Sequence, residues 1–71
     1  MTQARSESVA LRVYVALRDA ATLFCADRIT CAEMHASNGL AWRRAERAGR
    51  VTVTRVSELL VADLNQNGGV R

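Results

Sequence analysis

The stretch from residue 30 to residue 49, TCAEMHASNGLAWRRAERAG, decides the fold that we predict for this chain of 71 residues. Thr30 and Glu33 have the spacing of a capping box, in which each side chain binds the other residue's backbone N–H group at the start of a helix. Asn38-Gly39 is a dipeptide typical of turns. The stretch therefore predicts a short helix over about 31–37, a turn, and a second helix over 40–48.

Arginine dominates the end of this stretch and continues beyond it. The chain has ten arginines and no lysine, and five arginines fall within thirteen residues, at positions 43, 44, 47, 50 and 55. Residues 28–55 carry a local charge of +4, whereas residues 1–27 are neutral and residues 56–71 carry −1. A local basic charge on a helix behind a glycine turn is typical of a surface that binds nucleic-acid phosphates. The other interpretation is an ordinary solvated helix face.

Upstream, residues 8–25 have the apolar periodicity of an amphipathic helix, with Val13 and Leu17 on its inner face. Leu11 and Val15 fall instead on the polar side of this helix. Two aliphatic side chains one turn apart predict a second buried surface, such as a contact with a dimer mate or another partner. Isolated surface aliphatics, which are common, are the alternative.

Downstream, Gly49 stands where a C-terminal cap residue belongs. Residues 50–54 fit either a short strand near 51–55 or the approach to a last helix, which begins at Thr52 or Thr54 and runs to about Gln66. The expected fold class is all-α, or mainly α with a short β element near 51–55, in a compact domain of three to four helices. One domain spans 1–71, with residues 1–7 and 67–71 disordered.

The remaining composition narrows the classes of function. Cys25 and Cys31 are too few for a disulfide scaffold, and together with His35 they would offer zinc three ligands without a fourth. We therefore expect no metal and no cofactor. One histidine, no glycine-rich phosphate loop and no paired carboxylates argue against an enzyme. No run approaches the roughly 18 apolar residues of a membrane span, so we predict a cytoplasmic chain with no membrane partner.

A capped helix, a glycine turn and a basic second helix resemble the helix-turn-helix of small phage and bacterial regulators, some of which are winged. The resemblance covers residues 30–49, with Met34 and Leu40 at the apolar positions on either side of the turn and Ala45 and Ala48 facing inward. It implies a recognition helix over about 40–48 that reads duplex DNA.

The resemblance also implies a role for each basic residue. Trp42, Arg43 and Arg47 would face bases, since arginine can bind guanine in a bidentate fashion. Arg44, Arg50 and Arg55 would reach phosphates. Trp42 is also suited to a half-buried position at the edge of the core.

A second register is similar to the helix-turn-helix of LacI-type repressors. In this register residues 45–49 precede the turn and residues 51–60 form the recognition helix. The residues that would then read DNA are Thr52, Thr54, Arg55 and Ser57. Both registers place the contact surface around residues 47–55.

We expect a small DNA-binding transcriptional regulator or excisionase-like protein of phage type, which acts on double-stranded DNA as a homodimer because one short recognition helix offers few specific contacts. The rival hypothesis is a small phage-encoded protein that binds and inhibits or redirects a host protein. Such a protein would use the basic face or the exposed surface that Leu11 and Val15 form on the first helix.

Overall fold

The computed structural model of the chain describes residues 2–68, and the side chains of residues 5–66. Three α-helices follow one another: α1 (Thr2–Cys25), α2 (Cys31–Ala48) and α3 (Arg50–Gly68). Each helix packs against the other two, and no strand occurs within the described residues. The molecule measures 39 × 30 × 14 Å between Cα atoms, so it is about two helix layers thick.

Helix α1 begins earlier than predicted, because residues 2–7 belong to it. These residues were expected to be disordered. Glu7 accepts two hydrogen bonds from Nε of Arg55 on α3, at 3.0 and 2.9 Å, and this contact holds the first turns of α1 against the domain. The expected disorder at 67–71 falls partly on the last turn of α3 and, for residues 69–71, outside the described residues.

Helix α1 ends in a Schellman motif that the sequence did not reveal. The N–H of Arg28 donates to the carbonyl of Leu23 at 2.8 Å, and the N–H of Asp27 donates to that of Phe24 at 3.0 Å. These are the two bonds that define the motif. Its left-handed position is usually a glycine, but here Asp27 occupies it with φ 59°.

Helix α2 confirms the predicted capping box. The N–H of Thr30 donates to Oε1 of Glu33 at 2.7 Å, and the N–H of Glu33 donates to Oγ1 of Thr30 at 3.1 Å. The predicted turn at Asn38-Gly39 is wrong, since α2 runs through both residues to Ala48. A glycine inside a helix costs only about 1 kcal/mol. Here the capping box stabilises the helix before Gly39, and the packing of buried Ala41 and Ala45 stabilises it afterwards.

A single residue, Gly49, separates α2 from α3. Its φ of 116° lies in a region that side chains rarely adopt, and its N–H donates to the carbonyls of Ala45 and Glu46 at 3.2 and 3.1 Å. The predicted cap at Gly49 is therefore confirmed. The chain leaves α2 and enters α3 at Arg50 with no intervening loop.

Of the two alternatives for residues 51–55, the all-α one is confirmed and the short β element is wrong, because α3 includes these residues. Thr52 and Val56 are both fully buried. These two residues are four apart, so they would share one face in a helix and also in a strand. Half-buried Val53 also packs on the core. In a strand Val53 would point to the opposite face from Thr52, so its partial burial fits a helix and not a strand.

The core is small. Its buried apolar residues are Ala10, Val13, Leu17, Ala20, Ala41, Ala45 and Val56. Val13, Val56 and Thr52 are the largest side chains that are fully buried. The three helices approach closely over alanines, and many larger apolar side chains stay partly or largely exposed.

Candidate nucleic-acid interface

Four exposed arginines lie where α2 ends and α3 begins. We call them the arginine surface: Arg43, Arg44 and Arg47 of α2 and Arg50 of α3. Ala41 and Ala45 are buried and fix the rotation of α2. At 100° per residue, Arg43 and Arg47 then lie on the side of α2 opposite the core, and Arg44 lies on its flank.

The four arginines of this surface form no ion pair within residues 5–66, although Arg50 lines a groove together with Glu7 and Glu58. The ion pairs in this range involve Arg18 and Arg55. Glu46 and Arg50 differ by four residues, but Gly49 ends α2 between them. They therefore lack the helical i,i+4 geometry that would favour an ion pair.

Leu40 lies among these arginines and outside the core. Arg43, Arg44 and Arg47 follow Leu40 at i+3, i+4 and i+7, so the four residues share one face of α2. Leu40 is 67% exposed. Since Leu40 and Ala41 differ by 100° around the helix, burial of Ala41 turns Leu40 towards solvent, where it adds an apolar centre to a basic face.

Trp42 is half-buried and packs against the core cluster. Of the two roles expected for it, this position matches the edge of the core. Its neighbours Arg43 and Arg44 are more exposed. Trp42 therefore anchors the part of α2 that displays the arginines.

Arg55 differs from the four arginines of the arginine surface because it is paired with carboxylates. Its Nε lies 2.9 Å from Oε2 of Glu7 on α1, and its Nη1 lies 3.4 Å from Oε1 of Glu58. The hydrogen bond with Glu7, and the charges of both carboxylates, raise the pKa of Arg55 above its ordinary value. Because two acidic partners already neutralise this side chain, it offers little net charge to a phosphate.

Of the residues that the second register assigns to DNA reading, Thr54 lines one surface groove with Ser57 and another with Arg55, whereas Thr52 lies in the core. Thr52 is fully buried, and no hydrogen-bond partner for its Oγ1 occurs among the described residues. Ser57 donates its hydroxyl to the carbonyl of Val53 at 3.1 Å. Thr54 and Ser57 are both exposed, so two of the four residues could contact a partner. Thr52 cannot touch a partner while the fold is intact.

Leu11 and Val15 lie together on the outer side of α1, away from the core. Leu11 is 45% exposed and Val15 is 50% exposed. Neither lies on α2, so the apolar surface and the arginine surface belong to different helices.

No family model matches the chain, and neither a curated protein nor a solved structure is similar to it at the level that would indicate a relationship. No helix among the described residues combines the length and the apolar character of a membrane span. Among the same residues, no three His, Cys, Asp or Glu side chains are grouped as ligands for a metal ion.

Proposed function

We propose that the protein is a small DNA-binding regulator that holds duplex DNA through the arginine surface. The observation that carries the proposal is the set of four exposed arginines, Arg43, Arg44, Arg47 and Arg50, that lack a carboxylate partner among the described residues. Arginines that are already paired lose much of their attraction for phosphate. Unpaired ones keep it, and each phosphate contact releases counterions from the duplex.

The dimensions of α2 suit such a contact. Eighteen residues give a helix about 27 Å long, and a helix with its side chains is about 10–12 Å across. The major groove of B-DNA is about 12 Å wide. Arg43 and Arg47 lie farthest from the core, so they would reach the base edges, while Arg44 and Arg50 at the sides would bind phosphates.

This arrangement differs from the helix-turn-helix resemblance in its connections. The first register needs a turn at Asn38-Gly39, where α2 is continuous, and the single residue Gly49 joins α2 to α3. A helix-turn-helix usually has a turn of three to four residues. The proposal therefore rests on the charge and exposure of α2 and does not depend on that motif. A cytoplasmic location, where DNA is accessible, is part of the same proposal.

The test is a titration of labelled mixed-sequence duplex DNA by fluorescence anisotropy at several salt concentrations. The two phosphate contacts of Arg44 and Arg50 predict a slope of log K against log salt of about −1.8 for each chain bound. Arg44→Gln with Arg50→Gln should remove most of this slope, because both phosphate contacts are lost. Glutamine keeps helix propensity, so the fold should be unchanged.

The matched control removes the same charge elsewhere. Arg18 faces α3, where it pairs with Asp63, and Arg28 lies in the loop before α2. Arg18→Gln with Arg28→Gln should leave the slope nearly unchanged. If both double variants reduced the salt slope equally, net charge alone would govern binding. Absence of binding at low salt would refute the proposal.

A second candidate function has its own observation. Exposed Leu11 and Val15 form an apolar surface on α1 that DNA binding does not use. A phage-encoded protein that binds a host protein would present such a surface. If the chain fails to bind DNA and a host protein is retained in a pull-down that Val15→Asp abolishes, this second function is the better explanation.

A further inference from the structure

The outer side of α1 carries an apolar stripe with small polar residues at its ends. Leu11 and Val15 form the stripe, and both are about half exposed. Ser8 precedes it and Thr22 follows it on the same side, and both are exposed. The small side chains at the two ends leave Leu11 and Val15 as the apolar part of this side that another helix could contact.

Two charged residues flank this stripe on one side. Arg12 and Asp19 are exposed, and neither forms an ion pair within residues 5–66. On the other side of the stripe, Arg18 is occupied, because it lies over the Tyr14 ring at 5.7 Å and pairs with Asp63 at 3.8 Å. The free charges of α1 next to the stripe are therefore one positive and one negative, on the same flank.

The spacing of these charges is self-complementary. Arg12 and Asp19 are seven residues apart, which is about 10 Å along the helix with an angular offset of about 20°. The midpoint between them falls next to Val15. In an antiparallel pair of α1 helices related by a two-fold axis at that point, Arg12 of each copy faces Asp19 of the other. In a parallel pair, where the two-fold axis runs along the helices, Arg12 and Asp19 of the two copies lie on opposite sides of the contact and do not meet.

We propose that a second copy of this chain covers the α1 stripe in an antiparallel arrangement. The two Val15 side chains meet near the two-fold axis, and two reciprocal Arg12–Asp19 ion pairs fix the register. An isologous contact of this type needs one surface that is complementary to itself, and the stripe with its flanking charges has that property. The inference rests on α1 alone and stands or falls independently of DNA binding.

Charge exchange provides the first test, with the dimer Kd measured by sedimentation equilibrium on the full chain. Arg12→Glu or Asp19→Arg alone replaces two attractive contacts per dimer by two repulsive ones. Each change should weaken the dimer about tenfold or more. Combining both changes in one chain restores opposite charges and should return the Kd to near the wild-type value. An equimolar mixture of the two single variants should form a heterodimer, because both of its contacts are attractive.

Cross-linking provides a test that does not depend on charge. In a Cys25→Ser/Cys31→Ser background, Val15→Cys should form an intermolecular disulfide under mild oxidation, since the two-fold axis passes close to residue 15. Thr22→Cys, which is on the same side of α1, should not, because the two copies of residue 22 would lie roughly 20 Å apart along antiparallel helices. A parallel pair would cross-link through both positions.

Several results would overturn the proposal. A wild-type chain that stays monomeric up to its solubility limit would exclude the interface. A dimer that neither single charge variant weakens would place the contact elsewhere. Cross-linking through Thr22→Cys as efficiently as through Val15→Cys would rule out the antiparallel arrangement. Circular dichroism of each variant, which should match the wild type because all these positions are exposed, verifies that the helices are intact.

Discussion

At the scale of single residues, the backbone conformation of Asp27 destabilises the folded state. It holds a left-handed conformation with φ 59° at the end of α1. This conformation costs a residue with a side chain roughly 1 kcal/mol, and aspartate somewhat less than most. Asp27→Gly should therefore raise the free energy of unfolding in urea by up to about 1 kcal/mol. Asp27→Ala, the matched control, should lower it, and equal effects of the two changes would contradict the explanation.

Glu33 makes the capping box sensitive to pH. Hydrogen bonds from the backbone and side chain of Thr30 lower the pKa of Glu33 below its ordinary value. Since the folded state favours the carboxylate, this contribution to stability is complete above the unfolded-state pKa and is lost as pH falls through the folded-state pKa. Glu33→Gln should reduce the loss of stability in acid. Unfolding measured across the acid range for both proteins checks this, and parallel curves would refute it.

Thr52 is a buried polar group without a partner. It is fully buried, and its Oγ1 finds no hydrogen bond among the described residues. An unsatisfied buried hydroxyl costs about 1–3 kcal/mol. Thr52→Val, which keeps the shape, should raise the free energy of unfolding by about 1 kcal/mol. Val56→Thr introduces the same hydroxyl one turn away and should lower it. A loss of stability in Thr52→Val would show that the hydroxyl has a partner, such as an ordered water.

At the scale of the helices, two glycines have opposite roles. Gly39 lies inside α2 with nothing within 4 Å of the position that an added Cβ would occupy, whereas Gly49 has φ 116°. Gly39→Ala should raise the free energy of unfolding by about 0.5–1 kcal/mol, because alanine loses less conformational entropy in a helix. Gly49→Ala should lower it because of backbone strain. A destabilising Gly39→Ala would instead indicate a turn at that position.

The same glycines show what the sequence could and could not predict about the helices. The capping box and the cap at Gly49 depend on neighbours within four residues, and both predictions are confirmed. The turn at Asn38-Gly39 and the strand near 51–55 were wrong. Tertiary packing outweighs local propensity at both places. Buried Ala41 holds α2 together beyond Gly39, and buried Thr52 and Val56 hold the β-branched start of α3 against the core.

For the candidate site too, the sequence predicts the local features but not the contacts between helices. The exposure of Arg43 and Arg47 follows from the phase of one helix, which the sequence contains. Arg55 was also expected to bind phosphate, but its partner Glu7 is 48 residues away in the sequence. Helical periodicity carries no information about such a contact. Contacts between distant helices therefore decide which arginines remain available.

At the scale of the whole molecule, the fold fixes where the arginine surface lies relative to the α1 stripe. Ala16 lines a cleft of about 190 Å³ between α1 and α2, and Leu40 and Arg44 lie on its other wall. Arg12 precedes Ala16 by one turn, so the flank of α1 with the free charges is the flank nearer to α2. A two-fold axis perpendicular to antiparallel helices keeps this flank on the same side in both copies. Both arginine surfaces would then lie on one side of the dimer, where a single duplex can contact them together.

This geometry connects dimer formation to the salt dependence of DNA binding. Val15→Ser should weaken the dimer without altering any charge, because it removes the apolar contact at the two-fold axis. If a dimer engages four phosphates, the slope of log K against log salt is about −3.6 per dimer, and the monomeric variant should approach −1.8. Anisotropy titrations of both proteins at matched concentrations measure the change, with Val61→Ser, the same substitution at an exposed valine of α3, as the matched control. A slope that Val15→Ser leaves unchanged, in a variant shown to be monomeric, would mean that each chain contacts DNA alone. The two-fold arrangement would then serve a purpose other than DNA binding.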